Sequence, residues 1–153
     1  MNRFAIPAVL SACVLAGCGG QSTMLQPGQW ETNVAIVRLE APGMPKGANV
    51  PLPPPTTTSS CLTPEQARNP DANFAAGNTS GCSSEDYRMA DGRISGTLTC
   101  NQQGTSMRAT LAGTYTPTTM DMTMNSQTQA AGQNVTTEVR VTGRRTGDCR
   151  SGS

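Results

Sequence analysis

The sequence predicts a mainly β domain: a curved antiparallel meander of about five to six strands, one short helix packed on it, and two disulfides. Three observations carry this expectation. Four successive segments alternate apolar and polar residues with period two, as strands with one wet face do. Asp91-Gly92 sits between two such segments and marks a tight hairpin. Cys61, Cys82, Cys100 and Cys149 are an even set in a chain that carries an export signal, which reads as two disulfides.

The N-terminus is the address. Arg3 supplies one positive charge, and the run from Phe4 to Ala16 is apolar except for Ser11. That is the pattern of a signal peptide, and it is too short to span a bilayer. The run ends in Leu15-Ala16-Gly17-Cys18, which is similar to the bacterial lipobox, where the Cys thiol is lipidated before cleavage. The expected organisation is a signal peptide over 1–17, a polar tether over 18–26 and a single β-rich domain over 27–153. Two or three fatty chains on Cys18 make a durable anchor, at about 0.8 kcal/mol per buried CH₂. Gly19, rather than an acidic residue, follows Cys18. This leans towards the outer membrane, facing the periplasm.

Composition limits the chemistry. The 11 Lys and Arg include Arg3, so removing the leader leaves 10 basic residues against 10 Asp and Glu. A near-neutral chain gives no electrostatic footprint for nucleic acid. The absence of His excludes Ser-His-Asp and Cys-His catalysis, His-ligated zinc and a histidine pH switch. Beyond the leader the aromatics are Trp30, Phe74, Tyr87 and Tyr115, so a core must rest on Val, Ile, Leu and Met. Small domains with thin cores need covalent staples.

The elements follow in order. Pro27-Gly28 turns the chain, and Trp30 to Leu39 is the first strand, with Trp30, Val34 and Ile36 on one face. Residues 41–60 are rich in Pro, Gly and Thr, with Pro53-Pro54-Pro55 among them, and read as an extended loop. Thr63-Pro64-Glu65-Gln66 is a helix start, with Thr63 as cap, Pro64 in the first position and Gln66 completing a capping box; Pro70 stops that helix. Asp71 to Phe74 is read as a second turn.

Ser83 to Ala90 and Arg93 to Cys100 form a hairpin around Asp91-Gly92, pairing Met89 with Ile94 and Tyr87 with Gly96. Ser106 to Thr116 places Met107, Ala109, Leu111, Gly113 and Tyr115 on one face. Met120, Met122 and Met124 alternate with Asp121, Thr123 and Asn125; Gln127 to Gln133 reads as a loop, and Val135 to Arg144 turns Val135, Val139 and Val141 inward. Gly96 and Gly113 lie on the apolar face, where they allow the sheet to curve. Cys82 and Cys100 close the open end of one hairpin, although strict alternation puts them on opposite faces unless a bulge intervenes. Cys61 would then pair with Cys149; Cys61–Cys82 with Cys100–Cys149 is the alternative.

The ordered set of a lipobox, Pro27-Gly28-Gln29-Trp30-Glu31, a Pro-containing loop with Met44, Cys61-Leu62-Thr63-Pro64-Glu65, Cys82, Cys100, the Met-alternating strand and Thr142-Gly143-Arg144-Arg145-Thr146-Gly147-Asp148-Cys149 resembles the domain of unknown function 3617 family. These are small envelope proteins of Gram-negative bacteria. The resemblance implies export, four Cys and a β-rich fold. It implies no activity and no catalytic residue.

Three functions compete. A lipid-anchored, non-enzymatic binding or structural component would present the apolar row Leu98, Leu111, Met122 and Val139 to a small apolar ligand or an envelope protein. The alternative is periplasmic copper binding or oxidant scavenging by Met120, Met122 and Met124, whose thioethers suit Cu(I). Plain core packing explains both sets of residues as well. An enzyme would draw on Glu85, Asp86 or Asp121, but no pair of carboxylates is fixed across a cleft by the sequence. Arg144-Arg145 reads either as an anion site or as a charged strand end. The expectation is a non-enzymatic protein with no cofactor. Replacing Cys18 by Ser should abolish palmitate labelling and release the chain from the membrane fraction; unchanged fractionation would refute the anchor.

Overall fold

A computed structural model describes residues 24–45, 50–72, 74, 81–102, 104–130 and 132–149. The segment 1–17, read from the sequence as a signal peptide, and Cys18 lie outside the described residues. The elements are β1 (Gly28–Glu40), β2 (Thr56–Leu62), α1 (Pro64–Arg68), β3 (Cys82–Ala90), β4 (Arg93–Gln102), β5 (Thr105–Tyr115), β6 (Thr119–Ala130) and β7 (Gln133–Gly147). They make one seven-stranded sheet in the order β2-β1-β7-β6-β5-β4-β3. Every neighbouring pair is antiparallel. Strands β3 to β7 are the expected meander. β1 docks on β7, β2 folds back onto β1, and the sheet stays open.

The β3–β4 hairpin is the one the sequence predicts. Asp91 and Gly92 both take positive φ, 52° and 73°, as a two-residue turn of matching twist requires. Met89 pairs with Ile94 as expected, but the register slips between Glu85 and Arg88, so Asp86 and Tyr87 together face Gly96. Asp86 carries the bulge at φ 51°. This extra residue resolves the conflict between alternation and pairing: beyond it, Cys82 stands directly opposite Cys100. The two are disulfide-bonded, and Cys61 is bonded to Cys149.

Helix α1 starts as its residues dictate. Thr63 Oγ1 accepts from the Gln66 amide at 3.2 Å, and the Gln66 side chain accepts from the Thr63 amide at 2.9 Å. The expected turn after Pro70 is present, with the Phe74 amide donating to the Asp71 carbonyl at 3.2 Å.

Two loop boundaries differ from expectation. Thr56 to Ser60, placed in the 41–60 loop, belong to β2. Both faces of this stretch are exposed, so it has no apolar alternation to betray it, only the β-propensity of Thr. Likewise β6 runs to Ala130 and β7 begins at Gln133, leaving a short turn where a loop from Gln127 was expected. These strand ends extend past the core and are polar on both sides.

The core lies on one face. Trp30 is fully buried, and Leu98 and Met122 are nearly so. Leu62, Ile94, Ala109, Leu111, Tyr115, Met120, Val139 and Val141 complete the sheet's contribution, while Leu25, Ala67 and Ala72 cover it. Phe74 meets Trp30 edge-on, ring centroids 5.7 Å apart. Gly113 sits at a close approach of β5 and β6: a Cβ there would lie 2.5 Å from the Asp121 carbonyl oxygen and 2.7 Å from Met122 Cα. A side chain at this point would push the strands apart.

The disulfides constrain very different lengths of unfolded chain, with sequence separations of 88 for Cys61–Cys149 and 18 for Cys82–Cys100. By loop-closure entropy the first should contribute about 4–5 kcal/mol and the second about 3 kcal/mol. Denaturant unfolding of the two double Cys→Ser variants should rank them in that order. Equal losses would show that the long bridge constrains the unfolded chain no more than the short one.

Candidate functional site

The start of β1 and the end of β7 are clasped together. The Arg145 guanidinium donates to the Pro27 carbonyl at 2.8 Å and to Asp148 at 2.5 Å, and the Arg145 amide donates to the Thr118 carbonyl at 2.9 Å. A Cβ on Gly28 would fall 2.6 Å from Arg145 Nε and against the Gly147 carbonyl, and Gly28 holds φ 141°, so glycine is required at this crossing. Arg144 donates to Glu31 at 2.7 and 3.0 Å on the outer face. Thr146 donates to the Gln29 carbonyl at 3.2 Å. Trp30 Nε1 donates to the Gln26 carbonyl at 3.0 Å, and the Gln26 amide donates to the Pro117 carbonyl at 2.8 Å. Arg144 and Arg145 are therefore engaged with the chain's own groups.

The apolar row named from the sequence is interior. Leu98, Leu111, Met122 and Val139 are all buried, so they form the core beneath α1 and the Leu25 segment rather than an open surface. Of the two readings of the row, a ligand surface and plain core packing, core packing is the one observed: these side chains are covered by the chain itself. Met120 and Met122 are 3% and 1% exposed, and Met124 packs partly buried against the same cluster. Unbranched thioethers fill the irregular space that a core poor in aromatics leaves. Among the described residues, no three His, Cys, Asp or Glu side chains gather as a metal site would need.

The carboxylates are dispersed. Asp121 receives two hydrogen bonds from Arg140, at 2.6 and 3.1 Å, and these hold its carboxyl below the usual range. Glu85 faces Arg108 at 3.7 Å, and Asp86 sits on the exposed bulge. None of the three lines the groove at the far end of β1. Tyr87 is pushed up to about 12, first by burial and then by Asp71 and Tyr115, so its hydroxyl stays protonated and donates to Met89 Sδ at 3.7 Å.

Besides a groove of about 590 Å³ bordered by Met24, Pro27 and Pro117, the described residues form one of about 530 Å³ at the far end of β1, lined among others by Val37, Leu39, Met44, Val50, Leu52 and Thr136. Its apolar rim is exposed: Val37 46%, Met44 37% and Leu52 36%. A bulge in β1 lies beside it. The register between β1 and β7 slips between Ile36 and Arg38, leaving Val37 as the extra residue. Such an insertion re-aims a side chain out of the ladder. Arg38 and Glu40 flank the groove and are paired with each other at 2.5 Å. The sequence held a signal for this site: Trp30, Val34 and Ile36 share one phase, whereas Val37 and Leu39 fall in the other.

Among the described residues, no helix is long and apolar enough to cross a membrane. Comparison with curated proteins and with solved structures finds no match. A family model does match, over residues 25–149, and its description is "Protein of unknown function (DUF3617)". The span begins at the segment bonded to Trp30 and ends at Cys149, so it contains the whole clasped sheet, and the chain belongs to the DUF3617 family.

Proposed function

We propose that this protein is a lipid-anchored, non-enzymatic binding component of the Gram-negative envelope, tethered through Cys18 to the outer membrane and facing the periplasm. Its binding site in this reading is the groove at Val37, Met44 and Leu52. The observation that carries the proposal is the placement of exposed apolar groups. The sheet's apolar row is sealed in the core, while three exposed large apolar side chains rim one groove. Its volume of about 530 Å³ lies within the usual range for small-molecule sites. A mixed lining, with Val37, Met44 and Leu52 beside Arg38, Glu40, Asn134 and Thr136, suits a small amphipathic ligand with an apolar body and a polar end.

The topology supports a site held clear of the anchor. The 13 residues of β1 run from the tether side to the groove. At a rise of ~3.3 Å per residue that is about 40 Å. A site at the distal end is presented to the periplasm rather than to the membrane that holds the tether.

Native mass spectrometry on the mature chain, purified from an oxidising periplasm, tests this directly. A bound apolar mass, or saturable uptake of a fluorescent fatty acid, is the expected result. Val37→Glu and Leu52→Glu should each weaken uptake at least about tenfold, a change of about 1.4 kcal/mol, while leaving the melting temperature nearly unchanged because both side chains are already exposed. A bare mass with no saturable uptake would overturn the binding reading.

A further inference from the structure

The two edges of the sheet differ in kind. Edge strand β3 is blunted by the Asp86 bulge and carries Glu85, Asp86 and Arg88. Natural sheets guard their edges in this way against unwanted pairing. Edge strand β2 lacks such guards. It pairs with β1 through all seven of its residues without a register shift. No charged residue occurs between Val50 and Pro64. Thr56 to Ser60 are exposed on both faces, and among the described residues β2 has a strand neighbour on one side alone.

The geometry points to β2 as the interface with a second copy of this chain, two β2 strands running antiparallel across a two-fold axis at Thr58. Read antiparallel about Thr58, Thr56 faces Ser60, Thr57 faces Ser59, and Thr58 faces its own counterpart. Thr–Thr and Thr–Ser pairs are favourable neighbours across antiparallel strands, and no like charges meet. The edge is therefore self-complementary, which an isologous pair requires. Adding β2 of one copy to β3 of the next would instead build an open filament, and the bulged, charged β3 edge opposes it. Thr57 accepts a hydrogen bond from Asn33 at 3.0 Å, which helps to hold β2 in place on β1.

Pro53-Pro54-Pro55 and Pro64 bound the strand, so the pairing is short. A contact of five residues a side falls below the ~1,200 Å² of a stable interface, and the pair is weak in free solution. Tethering both copies to one membrane raises their effective concentration towards the millimolar range. That gain in strength rests on the lipid anchor proposed above; the geometry of the pair does not.

The test uses two preparations. Lipidated chain in phosphatidylethanolamine–phosphatidylglycerol vesicles, half labelled with a donor and half with an acceptor at a C-terminal tag, should show energy transfer above random proximity. The mature chain exported without its lipid should dimerise in small-angle X-ray scattering as its concentration approaches ~1 mM. Thr58→Lys, which sets two like charges on the axis, should weaken both signals at least about tenfold, and Ser84→Lys on β3 should change neither. An unchanged melting temperature for Thr58→Lys separates loss of pairing from loss of fold. Thr58-dependent pairing of the soluble chain supports the interface even if the native chain carries no lipid. A soluble chain that stays monomeric at ~1 mM, or pairing indifferent to Thr58→Lys, overturns it.

Discussion

The structure depends on the pairing of its first strand with its last. Strand β1 meets β7 along 11 register pairs, and the bonded residues Glu31 and Arg144 are 113 positions apart. Closing a loop of that length costs about 4 kcal/mol before any contact rewards it. Without the closure, β1 and β2 have no sheet to join, Trp30 loses its place in the core, and the groove beside Val37 loses one wall. The reward is collected at one end. Gly28 lets Arg145 reach the Pro27 carbonyl, Trp30 buries completely, and Cys61–Cys149 ties β2 to the end of β7. The exposed ion pair Arg144–Glu31 adds little by itself, since surface pairs contribute about 1 kcal/mol or less. The buried indole and the covalent bridge matter more.

A thin core explains the rest of the economy. Few aromatics are available, so Met120 and Met122 fill the centre and one Trp–Phe contact anchors the cover. Glycine at 113 lets β5 and β6 close up, which brings small and medium side chains into contact that a flatter sheet would hold apart. The same shortage means that apolar surface left outside is conspicuous. Met24 and Val34 are exposed as well, but Val37, Met44 and Leu52 gather at one groove, and that clustering makes the groove a candidate for a ligand.

Most strands were legible because period two survives wherever one face is buried. Met107 to Tyr115, Met120 to Met124 and Val135 to Val141 declare themselves in this way, and Asp91-Gly92 declares the hairpin. Strand β2 and the outer ends of β6 and β7 were not legible, since Thr, Ser, Asn and Gln there are wet on both sides and leave no pattern. The sequence posed the Cys82–Cys100 problem correctly: pairing and alternation conflict unless a residue is inserted, and Asp86 is that residue. The groove was missed although its signal was present, in the phase reversal between Ile36 and Val37. The apolar row from Leu98 to Val139 was legible as a row with two readings, a ligand surface or plain core packing, and it is core, because the helix and the Leu25 segment cover that face.

The central physical claim is that β1 and β7 form one cooperative unit with the meander. Native-state hydrogen exchange on the mature, oxidised chain tests it most directly. Amides in the β1–β7 ladder should open only with global unfolding, at the same free energy as those shared by β5 and β6. Exchange of the β1–β7 amides at a markedly lower free energy, with β4 to β6 still protected, would show that the meander stands alone and that the clasp is an accessory to it.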